Sequence, residues 1–257
     1  MLPVSRSVGN LTGMCAFSPG VGLVPGRGSV ALFTDIVSLG YRCRTTHRLK
    51  QHFGFDRAFP FDWWVTPLKG ATSFLEDWDV DALYDPDVLH ERYDGDHLVY
   101  LKHERYGIKL RHEFPNRAGA KSVTPAWREC LDDARARTRH LMDRFERLNQ
   151  IGRRVLFVRE LDPREERIKD HARPLRELIR HRMPAAKTSF LLISPSGANV
   201  DGWTSLKIDD PKRQPWEGNQ QLWDAALSSL GFTGERRERK HGRAPGDSLA
   251  GEASPAG

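Results

Sequence analysis

Cys43 is the residue whose type and placement point most directly to chemistry. It stands three residues past Gly40, where the apolar run 33–39 turns into a segment with helical spacing. A thiol in the first turn of a helix meets the positive end of the dipole and unshared backbone N–H groups, and both lower its pKa. The same N–H groups could receive an oxyanion during acyl transfer. The alternative is a small cysteine packing a helix against a sheet.

A cysteine nucleophile needs a base, usually His, held in turn by a third polar group. His112 ends a strand-like run and is followed by Glu113-Phe114-Pro115, with Pro115 fixing the chain's exit. His47 competes, because it lies four residues after Cys43 and so on the same helical face. Asp62 is embedded in the aromatic segment Phe59-Pro60-Phe61-Asp62-Trp63-Trp64. It could orient an imidazole, line a substrate cleft or pair with an arginine, since a buried carboxylate needs a partner. Arg159 ends a second apolar run, where it could bind a substrate anion or pair with Asp62 or Glu160. Ser38 reads as a strand-end hydroxyl or a helix N-cap rather than a serine nucleophile.

Other chemistries lack their signatures. The chain contains no HxxxH, no GxxxxGK[ST], no GxGxxG after a strand and no GxSxG. Three cysteines, Cys15, Cys43 and Cys130, leave an odd one over and have no metal-ligand spacing, so neither a disulfide framework nor a zinc site is expected.

Elements must hold these residues in place. The 257 residues are 39% hydrophobic and 29% charged, enough for one domain with a core of its own. The net charge of +6 is concentrated on helix faces and in the segment Gly234-Glu235-Arg236-Arg237-Glu238-Arg239-Lys240, without any nucleic-acid module, so no nucleic-acid partner is expected. No run approaches the roughly 20 apolar residues needed to cross a bilayer. No secretory signal is legible in the Gly- and Pro-broken first 30 residues, so a cytoplasmic, membrane-free protein is expected.

Residues 1–31 read as a disordered or non-native extension, 32–232 as the folded domain and 233–257 as a disordered charged tail. Within the domain, strands are predicted at 33–39, 154–159, 189–194 and 204–208. Helices are predicted at 43–53, 67–77, 126–150, 164–182 and 219–230. Runs 97–103 and 106–112 form a predicted hairpin. The alternation implies an α/β fold: a single domain, with a parallel or mixed sheet flanked by helices and a small β-hairpin.

On these landmarks the chain resembles a largely bacterial family of papain-like cysteine peptidases, long described as a domain of unknown function. The likeness rests on Ser38-Leu39-Gly40-Tyr41-Arg42-Cys43, Pro60-Phe61-Asp62-Trp63, Tyr106-Gly107-Ile108 leading to His112-Glu113-Phe114, Val158-Arg159, and Trp216-Glu217-Gly218-Asn219 with Trp223. It implies a thiol nucleophile at Cys43 and its base at His112, with Asp62 or Glu113 orienting the imidazole. Ser38, Gly40, Glu113, Arg159 and Trp63 would line or support the site. The expected reaction is hydrolysis of an amide or ester, or acyl transfer, on a peptide or other acyl-containing substrate and with no cofactor. The predicted strand–helix alternation looks more like a doubly wound sheet than the two-lobed papain fold. Two rival functions remain: an enzyme acting on sugars or phosphates with Arg159 as anion anchor, and a non-catalytic module gripping a peptide or glycan through Trp63 and Trp64.

Overall fold

The computed structural model describes residues 31–115, 122–210 and 216–234. The extension expected over 1–30 and the tail beyond 234 lie outside the described residues. The described part forms an α/β fold with one central parallel sheet, a short parallel pair and an antiparallel three-stranded sheet.

The central sheet contains β2 (Asp35–Ser38), β6 (Arg154–Glu160), β7 (Lys187–Ser194) and β8 (Thr204–Lys207), hydrogen-bonded in that order and all parallel. The order follows the sequence without a reversal, so the sheet lacks the switch point that a doubly wound order would supply. Helices nevertheless cover both faces, because side chains alternate along each strand. Val155, Phe157, Phe190 and Leu192 join the core built with α2 (Leu68–Asp77), α4 (Leu131–Glu146) and α5 (Ile168–Arg182). Leu156, Val158, Leu191 and Ile193 face the opposite way, against Leu49 and Phe53 of α1 (Cys43–Phe53) and Trp223 and Leu227 of α6 (Gln220–Ser228). Burial on both faces explains why β6 and β7 read as continuous apolar runs.

The ends of the chain differ from expectation. Thr34 interrupts the predicted first strand, and β1 (Ala31–Phe33) pairs instead with β9 (Phe232–Gly234). The folded part thus reaches Gly234, past the boundary drawn at 232.

The hairpin is also displaced. β4 (His97–His103) pairs with β3 (Leu89–Asp94), a strand hidden in the sequence by its charged, mostly exposed residues. The predicted partner 106–112 keeps only β5 (Lys109–Leu110), because Gly107 at φ 63° and the turn at 104–106 use up its start. The 126–150 helix begins as a 3-10 turn, Trp127–Cys130, before α4. A short helix α3 (Val80–Leu83), capped by the Asp79 carboxylate, occupies the acidic connection. No helix among the described residues is long and apolar enough to cross a membrane.

Candidate active site

Gly40 makes the turn from β2 into α1. Its φ of +85° lies in the left-handed region, and a Cβ there would meet Arg159 Nη1 at 3.1 Å, so the position needs glycine on two counts. The buried Ser38 hydroxyl accepts from the Gly40 amide at 3.2 Å and stays inside the turn. It is not a helix N-cap: α1 is preceded by Arg42 and has no side-chain cap and no acidic residue in its first turn. The helix therefore starts with unshared donors directed at its first residue.

That residue is Cys43, half-buried and unbonded to another cysteine. Burial pushes its thiol up from the ordinary value. The amides of Cys43 and Arg44 and the charges of Arg111 and Arg42 pull it down, but not far enough to cancel burial. The depressed pKa expected from the helix terminus is thus overturned by desolvation.

A backbone ladder ties the segment of the second candidate to the turn that presents Cys43. The Thr66 amide donates to the Tyr41 carbonyl at 3.1 Å, and Val65 exchanges both backbone hydrogen bonds with Lys109, at 3.2 and 3.0 Å. The segment after Lys109, carrying Arg111 and His112, is thereby stitched through residues 65–66 to the turn that presents Cys43. Arg111 acts electrostatically on both Cys43 and His112. The His112 ring meets Trp63 edge-on, with centroids 5.7 Å apart. Desolvation and then the Arg111 charge hold its pKa below the ordinary value, so it is a neutral acceptor at pH 7.

The remaining expected residues divide. Trp63, 38% exposed, lies beside His112, with Lys50 Nζ 5.9 Å from its ring centre. Asp62 is buried and does not orient His112: its oxygens are engaged by Thr46 Oγ1 at 3.2 Å, the Phe59 amide at 3.1 Å and Lys50 Nζ at 3.1 Å. Glu113 is turned to the Arg111 amide, at 3.0 Å, and to the Trp64 indole. Desolvation pushes its carboxyl up to about 7. Neither carboxylate is placed as the third member of a triad. Arg159 is fully buried and holds no open anion site. Its guanidinium donates to the Leu39 carbonyl and to Glu165 Oε1, each at 2.8 Å, and so braces the turn from beneath. His47, the rival base, is half-buried on α1 and packs at 5.2 Å on Trp216, which is 54% exposed. Cys15 lies outside the described residues.

One feature escaped sequence reasoning. A cleft of about 530 Å³ opens at the carboxyl ends of β6, β7 and β8, and Arg42 and Arg44, flanking Cys43, form part of its wall. Glu160 accepts from Arg44 Nε at 2.8 Å and Thr45 Oγ1 at 2.6 Å. Asp210 Oδ2 accepts from the Asn219 amide at 3.0 Å and Trp223 Nε1 at 3.1 Å. A Cβ on Gly218 would lie 2.2 Å from that oxygen, which explains the glycine. Cys43 itself, between Arg42 and Arg44, does not line the cleft. Asp210 follows a strand's carboxyl end, the one sequence signal that could have found it.

No family model, curated protein or solved structure matches the chain.

Proposed function

We propose that the chain is a cysteine-dependent hydrolase or acyltransferase of the papain-like cysteine peptidase type, with Cys43 as nucleophile and His112 as base. The observation that carries this reading is the uncapped start of α1: Cys43 is its first residue, and the Cys43 and Arg44 amides are directed at the sulfur. The choice of His112 as base is supported by the 41–66 and 65–109 backbone bonds, which tie the segment just before it to the Cys43 turn.

Burial keeps Cys43 a thiol at neutral pH, so a resting thiolate–imidazolium pair is not the starting state. The neutral imidazole takes the thiol proton as Sγ attacks the acyl carbon. The resulting oxyanion is held by the α1 amides. As the C–N or C–O bond breaks, His112 returns the proton to the leaving group. Water or another nucleophile then resolves the thioester. The positive charge of Arg111 favours the developing anion at both stages.

His47 is the competing base, supported by its place one turn along α1 from Cys43. Acylation of Cys43 by p-nitrophenyl acetate in His112→Ala and His47→Ala separates the two: the variant that loses acylation removes the base. The Arg159 anion anchor has little support, since that guanidinium is buried and paired. The expected substrate remains a peptide or other acyl compound, with the protein acting in the cytoplasm.

A further inference from the structure

The cleft beside Cys43 has a lining that selects a ligand class. Its wall contains four carboxylates and three guanidiniums. Most of these charges are already matched to one another. Arg44 meets Glu160 at 2.8 Å and Asp210 at 3.7 Å, Arg164 meets Asp162 at 3.0 Å, and Arg42 donates to the Tyr41 hydroxyl at 2.7 Å. The charges left over are those of Arg42, whose phenol partner is neutral, and Asp209, and because they are of opposite sign the wall offers neither a polyanion nor a polycation a field of one sign. Paired carboxylates and guanidiniums keep spare acceptors and donors, which suits a neutral ligand carrying many hydroxyl groups.

Two further observations agree. Trp216 lines the cleft and is more than half exposed although His47 packs on it, so its indole can serve as a platform for the C–H face of a sugar ring. Asp210 Oδ1 is buried and without a hydrogen-bond partner among the described residues, so a ligand hydroxyl reaching it would relieve the cost of an unpaired acceptor.

From this lining we infer that the cleft binds a saccharide, stacked on Trp216 with hydroxyl groups donating to Asp210 and Asp209. The inference deepens the acyl-transfer reading and, for the reaction, rests on it: the substrate is a sugar ester or N-acyl sugar whose acyl group reaches past the lining residues Arg42 and Arg44 to Cys43 between them. The new bond is Sγ–C(acyl), and the bond broken is the acyl C–O or C–N to the sugar. The thiol proton passes through His112 to the sugar oxygen or nitrogen, and water later hydrolyses the thioester.

The test is saturation-transfer NMR with glucose, galactose, N-acetylglucosamine and maltotriose, with inorganic phosphate and spermidine as charged controls in competition. At least one sugar should bind wild type and Cys43→Ser equally, and Trp216→Ala and Asp210→Asn should each weaken it about ten-fold. Trp216 is exposed, so its variant should fold, and circular dichroism would verify this. No binding by any of the sugars overturns the inference, as does binding indifferent to Trp216→Ala or displacement by phosphate or spermidine. Sugar binding together with no acylation of Cys43 by p-nitrophenyl acetate would instead uphold the cleft and defeat the catalytic reading.

Discussion

Lys50 Nζ lies 3.1 Å from the buried carboxylate of Asp62, tying the last turn of α1 to the aromatic segment that presents Trp63 to His112. The tie makes Asp62 a fastening of the site's frame. Asp62→Ala strands Lys50 and the Phe59 amide, so urea denaturation should show a loss of about 2–4 kcal/mol. Acylation of Cys43 in the folded protein should change by less than about three-fold, against the roughly 10²-fold expected of a lost catalytic proton-transfer group. A rate loss of the larger size would restore Asp62 to the triad.

Arg159 should behave in the same structural way, and more severely. Its removal leaves the Leu39 carbonyl and Glu165 unpaired beneath the Gly40 turn. Arg159→Ala should cost about 3–5 kcal/mol in chemical denaturation. A loss below about 1 kcal/mol would mean that the guanidinium is not bracing the turn.

Glu113 gives the fold a pH dependence. Desolvation, only partly opposed by its own and the Arg111 amides and the Trp64 indole, raises its carboxyl to about 7. An acid with a raised folded-state pKa contributes stability that is full below its unfolded value and lost as pH climbs through the folded value. Wild type should therefore lose about 1–3 kcal/mol relative to Glu113→Gln between pH 4 and pH 9. Parallel stability curves for the two proteins over that range would contradict the assignment.

The resting state of Cys43 is open to direct measurement. Iodoacetamide alkylation followed by peptide mass spectrometry should give an apparent pKa above the ordinary value of about 8.5. Arg111→Gln should move it higher still, because that charge now favours the thiolate. An apparent pKa below the ordinary value would show that the helix terminus outweighs burial.

Much of the frame was legible in the sequence. The 43–53 helix is found with its predicted ends, and the apolar runs around Phe157 and Leu191 are strands buried on both faces. Legibility failed where tertiary context rather than periodicity decides. β3 pairs through a charged stretch, and the segment 106–112 keeps only two strand residues. The site divides along the same line. The place of Cys43 was legible because a strand–turn–helix junction is local; His112, expected at a strand end, lies instead in an exposed turn, since β5 stops at Leu110. The partners of Asp62, Glu113 and Arg159 depend on packing between distant segments: Arg159 chose Glu165 over both candidates that the sequence offered. The cleft was missed because Arg44, Glu160 and Asp210 meet only when the start of α1 and the ends of β6 and β8 converge.

The central claim is that Cys43 forms an acyl-enzyme with His112 as its base. The most direct measurement is the rate at which p-nitrophenyl acetate acetylates Cys43 at pH 7.5, read by mass spectrometry with Cys130 as internal reference. The account predicts acetylation at Cys43 well ahead of Cys130, slowed about 10²-fold in His112→Ala and unchanged in His47→Ala. Acetylation of Cys43 no faster than Cys130, or indifferent to His112, would contradict it.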